Sequence, residues 1–267
     1  MSPVEHPAPR RPDREDVHEG LAYALWLPDE MGAAEDRGAP SRPVPEPPWP
    51  GIVILHGAGS RKENHADFAR LATAAGWAAL AFDARGHGAS EGSMSPGAIQ
   101  DVIRMVRLLA ATSGVDEARV ALRGSSMGGF LALHAAAIAD EVAGVIAICP
   151  AGESELRRGL RRGELEMRVD DPAALEAWLA EHDLRDAVEW IAGRPLILLH
   201  AEGDEQIPSD WSEELYKRAA NPAKLVVVPG GDHRSLQHDA EIQAMALRWL
   251  ERELMRGGSA RNHPFGG

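Results

Sequence analysis

Short apolar runs alternate with amphipathic stripes along most of the chain. The runs without a polar face are typical of strands buried on both sides of a parallel sheet, and they cover residues 51–55, 77–82, 142–148, 195–200 and 224–229. Between them, apolar residues recur at helical spacing, as in the stripe of Ile99, Val102, Ile103, Val106 and Leu109 within a helix predicted over 96–113. Alternating strands and helices predict an α/β architecture, a mostly parallel sheet with helices on both faces.

The pattern predicts a single folded domain over residues 17–256, and the length of 267 residues is sufficient for its well-buried core. Residues 1–16 lack an apolar run and are expected to be disordered, while the glycine-rich residues 257–267 are expected to form a flexible tail. A proline- and glycine-rich stretch, residues 28–50, is expected to be an extended surface loop.

Residues 152–193 form a charged insertion that keeps helical stripes. Asp171 and Pro172 are typical of a helix start, with the aspartate as N-cap and the proline in the first turn. We expect two or three short helices here. The apolar residues that could line a pocket beneath them are Leu156, Leu160, Met167, Trp178 and Trp190, and packing against the sheet is the alternative for each.

The pentapeptide Gly124-Ser125-Ser126-Met127-Gly128 has the form G-x-S-x-G and joins a short β-compatible run to a run of strong helix formers. A strand that turns directly into a helix holds its middle residue in a strained conformation with the side chain exposed. Ser126 would present its hydroxyl there, and the Met127 amide at the helix N-terminus could stabilise an oxyanion. A turn without chemistry is the alternative.

Two further residues supply what a serine nucleophile needs, which is a histidine base oriented by a carboxylate. Asp204 follows the apolar run 195–200, and His233 follows the run 224–229. Both therefore lie at the carboxyl edge of the predicted sheet, where open α/β sheets bind their ligands. Ser126, Asp204 and His233 occur in the order serine, acid, histidine.

Several neighbouring residues compete for these roles. Ser125 precedes the motif's central serine, Asp232 adjoins His233, and Glu202 lies two residues before Asp204. Adjacent residues rarely place an imidazole and a carboxylate in the required geometry, which argues against Asp232. Three other histidines, His134, His200 and His238, are interpreted as structural.

At this point the sequence resembles the α/β-hydrolase family over residues 17–256. Gly203-Asp204 with Pro208 matches the family's acid loop, and His56-Gly57-Ala58-Gly59 looks like its oxyanion loop. The resemblance assigns the backbone amide of Ala58, beside that of Met127, to the oxyanion hole. It also implies that residues 152–193 form a small helical cap inserted before the strand that carries the acid. The segment from Asp83 to Ser90 matches the family's D-x-R-G-H-G-x-S, in which Arg85 and His87 are read as residues that fix the loop.

The resemblance implies a serine hydrolase of the carboxylesterase kind that needs no cofactor and acts on a small-molecule ester. The serine nucleophile disfavours dienelactone hydrolases, which use cysteine, and dehalogenases and epoxide hydrolases, which use aspartate. The same triad serves thioesterases, amidases, peptidases and C–C hydrolases, so these remain alternatives. An alternative of another class is a non-catalytic module that binds a small molecule.

The composition limits which kinds of binding partner are expected. The net charge of −13 disfavours nucleic acid and anionic membranes, which attract basic patches. The single cysteine, Cys149, excludes an intrachain disulfide and is interpreted as a buried, inert thiol. No histidine and cysteine cluster has metal-ligand spacing. No signal peptide or membrane span is apparent, so a cytoplasmic location is expected. Self-association into a homo-oligomer is compatible with this composition.

Overall fold

Within the described part of the chain the strands form one eight-stranded sheet, and the loops with Ser126, Asp204 and His233 follow the carboxyl ends of three of its strands. The computed structural model describes residues 9–28, 45–191 and 193–261, so residues 29–44 of the expected surface loop lie outside the described part. The strands are β1 (Arg14–His18), β2 (Leu21–Trp26), β3 (Trp49–Leu55), β4 (Ala78–Phe82), β5 (Val115–Ser125), β6 (Val145–Ile148), β7 (Leu196–Ala201) and β8 (Ala223–Val228). Their order is β1-β2-β4-β3-β5-β6-β7-β8, and all neighbours from β4 to β8 are parallel. The predicted mostly parallel sheet is confirmed.

The first two strands form an antiparallel hairpin at one edge of the sheet. Glu19 and Gly20 both have positive φ (48° and 81°), as the tight turn between them requires. Strand β1 begins at Arg14, so the expectation of disorder over residues 1–16 is wrong for its last three residues, while residues 1–8 lie outside the described part. The side chains of β1 are mostly polar and exposed. The strand therefore carries no apolar run, and its ladder of hydrogen bonds to β2 fixes its place in the sheet.

Helices cover both faces of the sheet, as predicted. They are α1 (Ala66–Ala74), α2 (Ala98–Ala110), α3 (Met127–Ile138), α4 (Glu153–Arg162), α5 (Pro172–Ala180), α6 (Leu184–Trp190), α7 (Ser209–Arg218), α8 (Ser235–His238) and α9 (Ala240–Arg261). Buried residues of α2, α3 and α7 join one apolar core, and those of α1 and α9 join the other. Helices α8 and α9 are separated at Asp239, and α9 continues through residues 257–261, part of the stretch expected to be a flexible tail.

Three helices, α4, α5 and α6, lie between β6 and β7 and form the inserted cap. The expected start of α5 is confirmed, because Asp171 is its N-cap and accepts a hydrogen bond from the Ala174 amide at 2.9 Å. Leu175, Leu179 and Leu184 are buried against the core that also contains α3. This packing places the cap above the carboxyl ends of β5 and β6. Within the described residues, no helix combines the length and apolarity needed to cross a membrane.

Candidate active site

Ser126 occupies a strained turn between β5 and α3. Its backbone has φ 52° and ψ −119°, a region that non-glycine residues rarely adopt. A Cβ at Gly124 would lie 2.1 Å from the carbonyl oxygen of Gly128, and one at Gly128 would lie 2.5 Å from that of Leu55. The two glycines therefore allow the close approach of strand and helix that holds Ser126 at the helix N-terminus.

Asp204 and His233 are joined by a short contact. Nδ1 of His233 lies 2.6 Å from Oδ2 of Asp204, although the residues are 29 positions apart in the chain. The other carboxylate oxygen accepts hydrogen bonds from the amides of Gln206 and Ile207, both at 2.9 Å. An ionised carboxylate can only accept a hydrogen bond, so Nδ1 of His233 carries the proton and donates it to Asp204. Nε2 of His233 is then the unprotonated, basic nitrogen.

The pKa of the Asp204 carboxyl reflects burial opposed by hydrogen bonds. Burial by itself would raise it, but hydrogen bonds from His200, His233 and the Ile207 amide hold the pKa well below its usual range. Among these donors, Nε2 of His200 lies 3.5 Å from Asp204, and 2.9 Å from the carbonyl oxygen of Ile207. The shorter contact shows that His200 mainly fastens the acid loop. Asp204 is therefore ionised throughout the neutral range.

The competing carboxylates face elsewhere. Oδ1 of Asp232 accepts hydrogen bonds from the amides of Arg234 (2.8 Å) and Ser235 (2.9 Å), so this side chain caps the start of α8. Glu202 is exposed, and its amide donates to the carbonyl oxygen of Val228. Of the three acidic residues considered, Asp204 alone contacts the imidazole of His233 among the described contacts.

The loop after β3 carries Ala58 and is held by His56. Nε2 of His56 accepts the Ala84 amide at 3.0 Å, so the proton lies on Nδ1, which donates to the carbonyl oxygen of Gly57 at 2.7 Å. Burial is the main reason why the pKa of His56 falls to about 4, and the ring stays neutral. Gly57 lies against Ser126, since a Cβ there would be 3.2 Å from Cβ of Ser126. This loop therefore passes directly beside Ser126.

The segment after β4 braces the same loop. Asp83 accepts from both the amide and the side chain of Lys62, and Arg85 forms a two-pronged ion pair with Asp101. His87 is buried, with its ring 4.9 Å from that of His56. These contacts agree with the interpretation of Arg85 and His87 as residues that fix loops. The role of Lys62 has no signature in the sequence.

A buried guanidinium joins the strand that ends before Ser126 to the helix that follows His233. Arg123, on β5, is fully buried and donates to the carbonyl oxygen of Gln237 (2.8 Å), the side chain of Gln243 (3.2 Å) and Nδ1 of His65 (3.0 Å). Gln237 belongs to α8, which begins two residues after His233. Arg123 thus links β5, which ends one residue before Ser126, to α8, which begins two residues after His233. An arginine inside an apolar run is the one sequence signal that could have revealed it.

Cys149 lies beside the acid and the histidine. The thiol is free and buried, as expected, and its sulfur lies within 4.8 Å of ligand atoms of Asp204 and His233. Burial, with the nearby charge of Asp204, raises the pKa of the Cys149 thiol to about 12. A thiol that stays protonated is a weak nucleophile and a weak metal ligand, so this group does not compete with Ser126.

A cavity of about 370 Å³ opens between the cap and the sheet, and both Ser126 and His233 line it. Its walls also include Ala58, Leu156, Leu165, Glu164, Glu166 and Gln206. On one side it continues into an open polar cleft of about 620 Å³ beside Gly59 and Ser60. On the other side Leu156 and Leu165 separate it from a much smaller apolar slot.

The residues expected to line a pocket divide into two groups. Leu156, Met167 and Trp178 line the apolar slot, and Leu156 also lines the larger cavity. Leu160 packs half-buried against the core and lines none of the three described cavities. The expectation for Trp190 is wrong, because it is 73% exposed at the end of α6. Its ring points to solvent because α6 buries Leu184, Ala187 and Val188 instead. Leu165, which lines two cavities, was missed because it lies between two helices, outside any stripe.

The fold and this site define the α/β-hydrolase class. Over residues 46–188 the chain matches the hydrolase family described as serine aminopeptidase, S33, and it belongs to that family. The resemblance that the motifs indicated is thus confirmed.

The chain is similar to several bacterial proteins at low sequence identity. YfhR of Escherichia coli K12 is 26% identical over 196 residues, which cover 68% of this chain and 62% of YfhR. The chain thus spans less than two-thirds of that relative. Rv2307c of Mycobacterium tuberculosis is 27% identical over 74% of this chain and 68% of its own length. The quorum-quenching protein AidA of Acinetobacter baumannii is 34% identical over 41% of this chain and 38% of its own.

Solved structures share the fold. Est1E of Butyrivibrio proteoclasticus, determined with ferulic acid bound, superposes with a TM-score of 0.68 at 21% identity, covering 91% of this chain and 99% of Est1E. A monoacylglycerol lipase of Paleococcus ferrophilus gives a TM-score of 0.64 at 18% identity, covering 87% of this chain and 99% of the lipase. At such identities the likeness concerns the fold alone.

Proposed function

We propose that the protein is a serine hydrolase that cleaves small to medium carboxylic esters through an acyl-enzyme intermediate. The observation that carries the proposal is the 2.6 Å contact between Nδ1 of His233 and Oδ2 of Asp204, in a cavity that Ser126 also lines. An imidazole held by a buried carboxylate, near a serine on a strained turn, is the arrangement that activates a hydroxyl as a nucleophile.

In the first half of the reaction, Oγ of Ser126 attacks the ester carbonyl carbon and Nε2 of His233 takes the hydroxyl proton. Asp204 keeps Nδ1 protonated and stabilises the imidazolium that forms. The negative charge on the carbonyl oxygen is stabilised by the amides of Ala58 and Met127. Within the described hydrogen bonds neither amide has an acceptor, so both are available for the oxyanion. One such donor is typically worth about 3 kcal/mol of the barrier.

In the second half, the tetrahedral intermediate collapses and the alkoxide leaves with the proton from His233. A water molecule then transfers a proton to Nε2 of His233 and attacks the acyl carbon. Collapse of the second intermediate releases the carboxylic acid and returns the proton to Oγ of Ser126. The protein ends in its starting protonation state, and the cycle consumes one ester and one water.

The second candidate function is hydrolysis of an amide next to a free amino group. The matched family is described as serine aminopeptidase, and the carboxylates of Glu164 and Glu166 line the cavity of Ser126. Carboxylates in such a place can bind a substrate ammonium group. The relative rates on an ester and an aminoacyl anilide with the same acyl group decide between the two functions.

The test combines active-site labelling with a substrate panel. A fluorophosphonate probe should modify Ser126, and Ser126→Ala should lose at least about 10³-fold in kcat on p-nitrophenyl butyrate. Ser125→Ala should keep the label and serves as the matched serine control. Labelling at Ser125, or turnover by Ser126→Ala, would contradict the proposal. Thioesters, anilides and C–C substrates complete the panel, and a protein inert to all of them and to the probe would be a binding module.

A further inference from the structure

An apolar slot lies beneath the cap, next to the residue that follows Ser126. It has a volume of about 20 Å³ and no polar lining surface, and its walls include Met94, Met127, Phe130, Leu131, Met167 and Trp178. A cavity needs roughly 10–15 Å³ to hold one water-sized group. The slot in this conformation therefore has room for about one methyl group.

Two leucines separate the slot from the cavity of Ser126. Leu156, on α4, and Leu165, in the connection between α4 and α5, line both spaces. Leu156 is 5% exposed, whereas Leu165 is half-buried. Removing or turning the Leu165 side chain would join the slot to the cavity in which the acyl group is bound.

The backbone before Leu165 is fixed by the end of α4. Gly163 has φ 66° and donates to the carbonyl oxygen of Leu160 (3.1 Å), while the Glu164 amide donates to that of Gly159 (3.0 Å). This pair of bonds is a Schellman motif. The side chain of Leu165 rests on Gly159, since a Cβ there would lie 2.9 Å from Cδ2 of Leu165.

The backbone after Leu165 is fixed as well. The Arg168 amide donates to the carbonyl oxygen of Gly86 (2.9 Å), and the Arg168 carbonyl accepts the Met94 amide (2.8 Å). The Arg168 guanidinium adds a bond to the carbonyl oxygen of Ser90 at 2.6 Å. With both flanks held, the side chain of Leu165 can change rotamer while the cap stays in place. The three methionines around the slot are unbranched and adapt readily to a new neighbour.

We infer that the slot is the subsite for the far end of the substrate's acyl chain and that Leu165 is the gate that decides which chain lengths enter it. This inference rests on the serine-hydrolase function proposed above. Short acyl groups fit in the cavity with the gate closed. Longer unbranched chains must displace Leu165 before they gain from burial against Met127 and Phe130. The substrate class is thus an ester of a short acyl group, with an alcohol part that extends toward the polar cleft.

The experiment measures kcat/KM for p-nitrophenyl acetate, butyrate, hexanoate and octanoate, each below its solubility limit. Each methylene that becomes buried is worth about fourfold in kcat/KM. Leu165→Ala should therefore raise the octanoate-to-acetate ratio by at least about tenfold, because two or three methylenes can enter the slot together with the space that the Leu165 side chain vacates. Leu165→Phe, with a larger side chain at the gate, should lower the same ratio below that of the natural protein.

Val169→Ala is the matched control, because Val169 is a half-buried cap residue that packs on the same core and lines none of the three described cavities. It should leave the ratio unchanged. Active sites are counted with the fluorophosphonate probe, so a change in folding yield does not affect kcat. If Leu165→Phe fails to fold, Leu156→Ala provides the second test and should also raise the ratio.

The experiment can refute the gate at Leu165 and the hydrolase function independently of each other. An unchanged ratio in Leu165→Ala, with acetate hydrolysis and Ser126 labelling intact, would refute the gate and leave the hydrolase function standing. A natural protein that does not react with the probe or any ester would refute the function itself. A ratio that rises equally in Val169→Ala would show general loosening of the cap and would also refute the gate.

Discussion

Asp83 binds the backbone amide and the ammonium group of one residue, Lys62, at 2.8 and 3.0 Å. Both side chains are buried, and the Asp83 carboxylate also accepts the Ala89 amide at 2.9 Å. Burial alone would raise the pKa of Asp83, but these donors hold it below its usual range. The pair joins the loop after β4 to the loop that carries Ala58, so the position of the proposed oxyanion donor depends on an ion pair outside the site.

Lys62→Met should therefore lower both stability and turnover. Removing one partner of a buried ion pair leaves the other charge uncompensated, which typically costs about 3–5 kcal/mol. We expect urea unfolding to show a loss of unfolding free energy in this range. We also expect kcat to decrease by a larger factor than KM changes. Arg61→Met is the control, because this neighbouring cation is exposed and pairs only loosely with Glu63 (3.7 Å). It should change stability by less than about 1 kcal/mol. Equal effects in the two variants would contradict the role of Lys62.

The choice of acid can be tested with two aspartate-to-asparagine variants. Asp204→Asn removes the acceptor that keeps the proton on Nδ1 of His233, and loss of the correct tautomer typically lowers kcat by about 10⁴-fold. Asp232→Asn affects only the cap of α8 and should cost at most about 1 kcal/mol of stability, with kcat nearly unchanged. The measurement is kcat with p-nitrophenyl butyrate. A larger loss in Asp232→Asn would move the acid to Asp232.

His134 should make the protein sensitive to acid. Burial, followed by the nearby His182, lowers the pKa of His134 from 6.5 to about 4. The unfolded chain therefore takes up this proton at a higher pH than the folded protein. The stability contributed by neutral His134 is complete above pH 6.5 and is lost as the pH falls toward 4. The free energy of unfolding that is lost in this way between pH 7.5 and pH 5 is about 2 kcal/mol.

His134→Leu should remove that part of the pH dependence. The free energy of unfolding, measured with urea, falls between pH 7.5 and pH 5. This decrease should be about 2 kcal/mol smaller in the variant than in the natural protein. His56, His65 and His87, whose pKa values are also lowered by burial, remain in both proteins and contribute to the residual slope. The same slope in variant and natural protein would mean that His134 titrates alike in the folded and unfolded states.

The Cys149 thiol should be unreactive in the native protein. It is completely buried, and the pKa of about 12 keeps it protonated. Ellman's reagent should detect far less than one thiol per chain under native conditions and one thiol in 6 M guanidinium chloride, since the chain has a single cysteine. Iodoacetamide should leave ester hydrolysis unchanged. Rapid labelling with loss of activity would place a reactive thiol beside His233 and question Ser126 as the nucleophile.

Much of the architecture could be predicted from local pattern. Burial on both faces excludes polar residues from a central strand, so runs such as 51–55 and 195–200 identify β3 and β7 without knowledge of their neighbours. The turn at Ser126 could be located because backbone strain and close packing restrict its flanking positions to glycine. Asp204 and His233 could be placed at one edge because the parallel strands before them end on the same side of the sheet.

The partners of those residues could not be predicted in this way. Whether Asp204 or Asp232 meets the imidazole depends on the direction of two side chains, and neighbours in sequence can point apart. Lys62, His200 and Arg123 are buried polar residues whose partners lie on other helices and loops, and no periodicity marks such pairs. Strand β1 has polar, exposed side chains, so only its hydrogen bonds to β2 reveal it.

The sequence by itself determined the parallel part of the sheet, the cap insertion and the order of serine, acid and histidine, because burial and turn geometry act on residues close together in the chain. The tertiary structure alone decided the acid loop's fastening by His200, the bracing of the Ala58 loop by Lys62, and the replacement of Trp190 by Leu165 at the pocket. The exchange of Trp190 for Leu165 depends on the rotation of α6 and on the path of the chain after Gly163. Hydrogen bonds and packing between segments that are distant in the sequence determine all three outcomes.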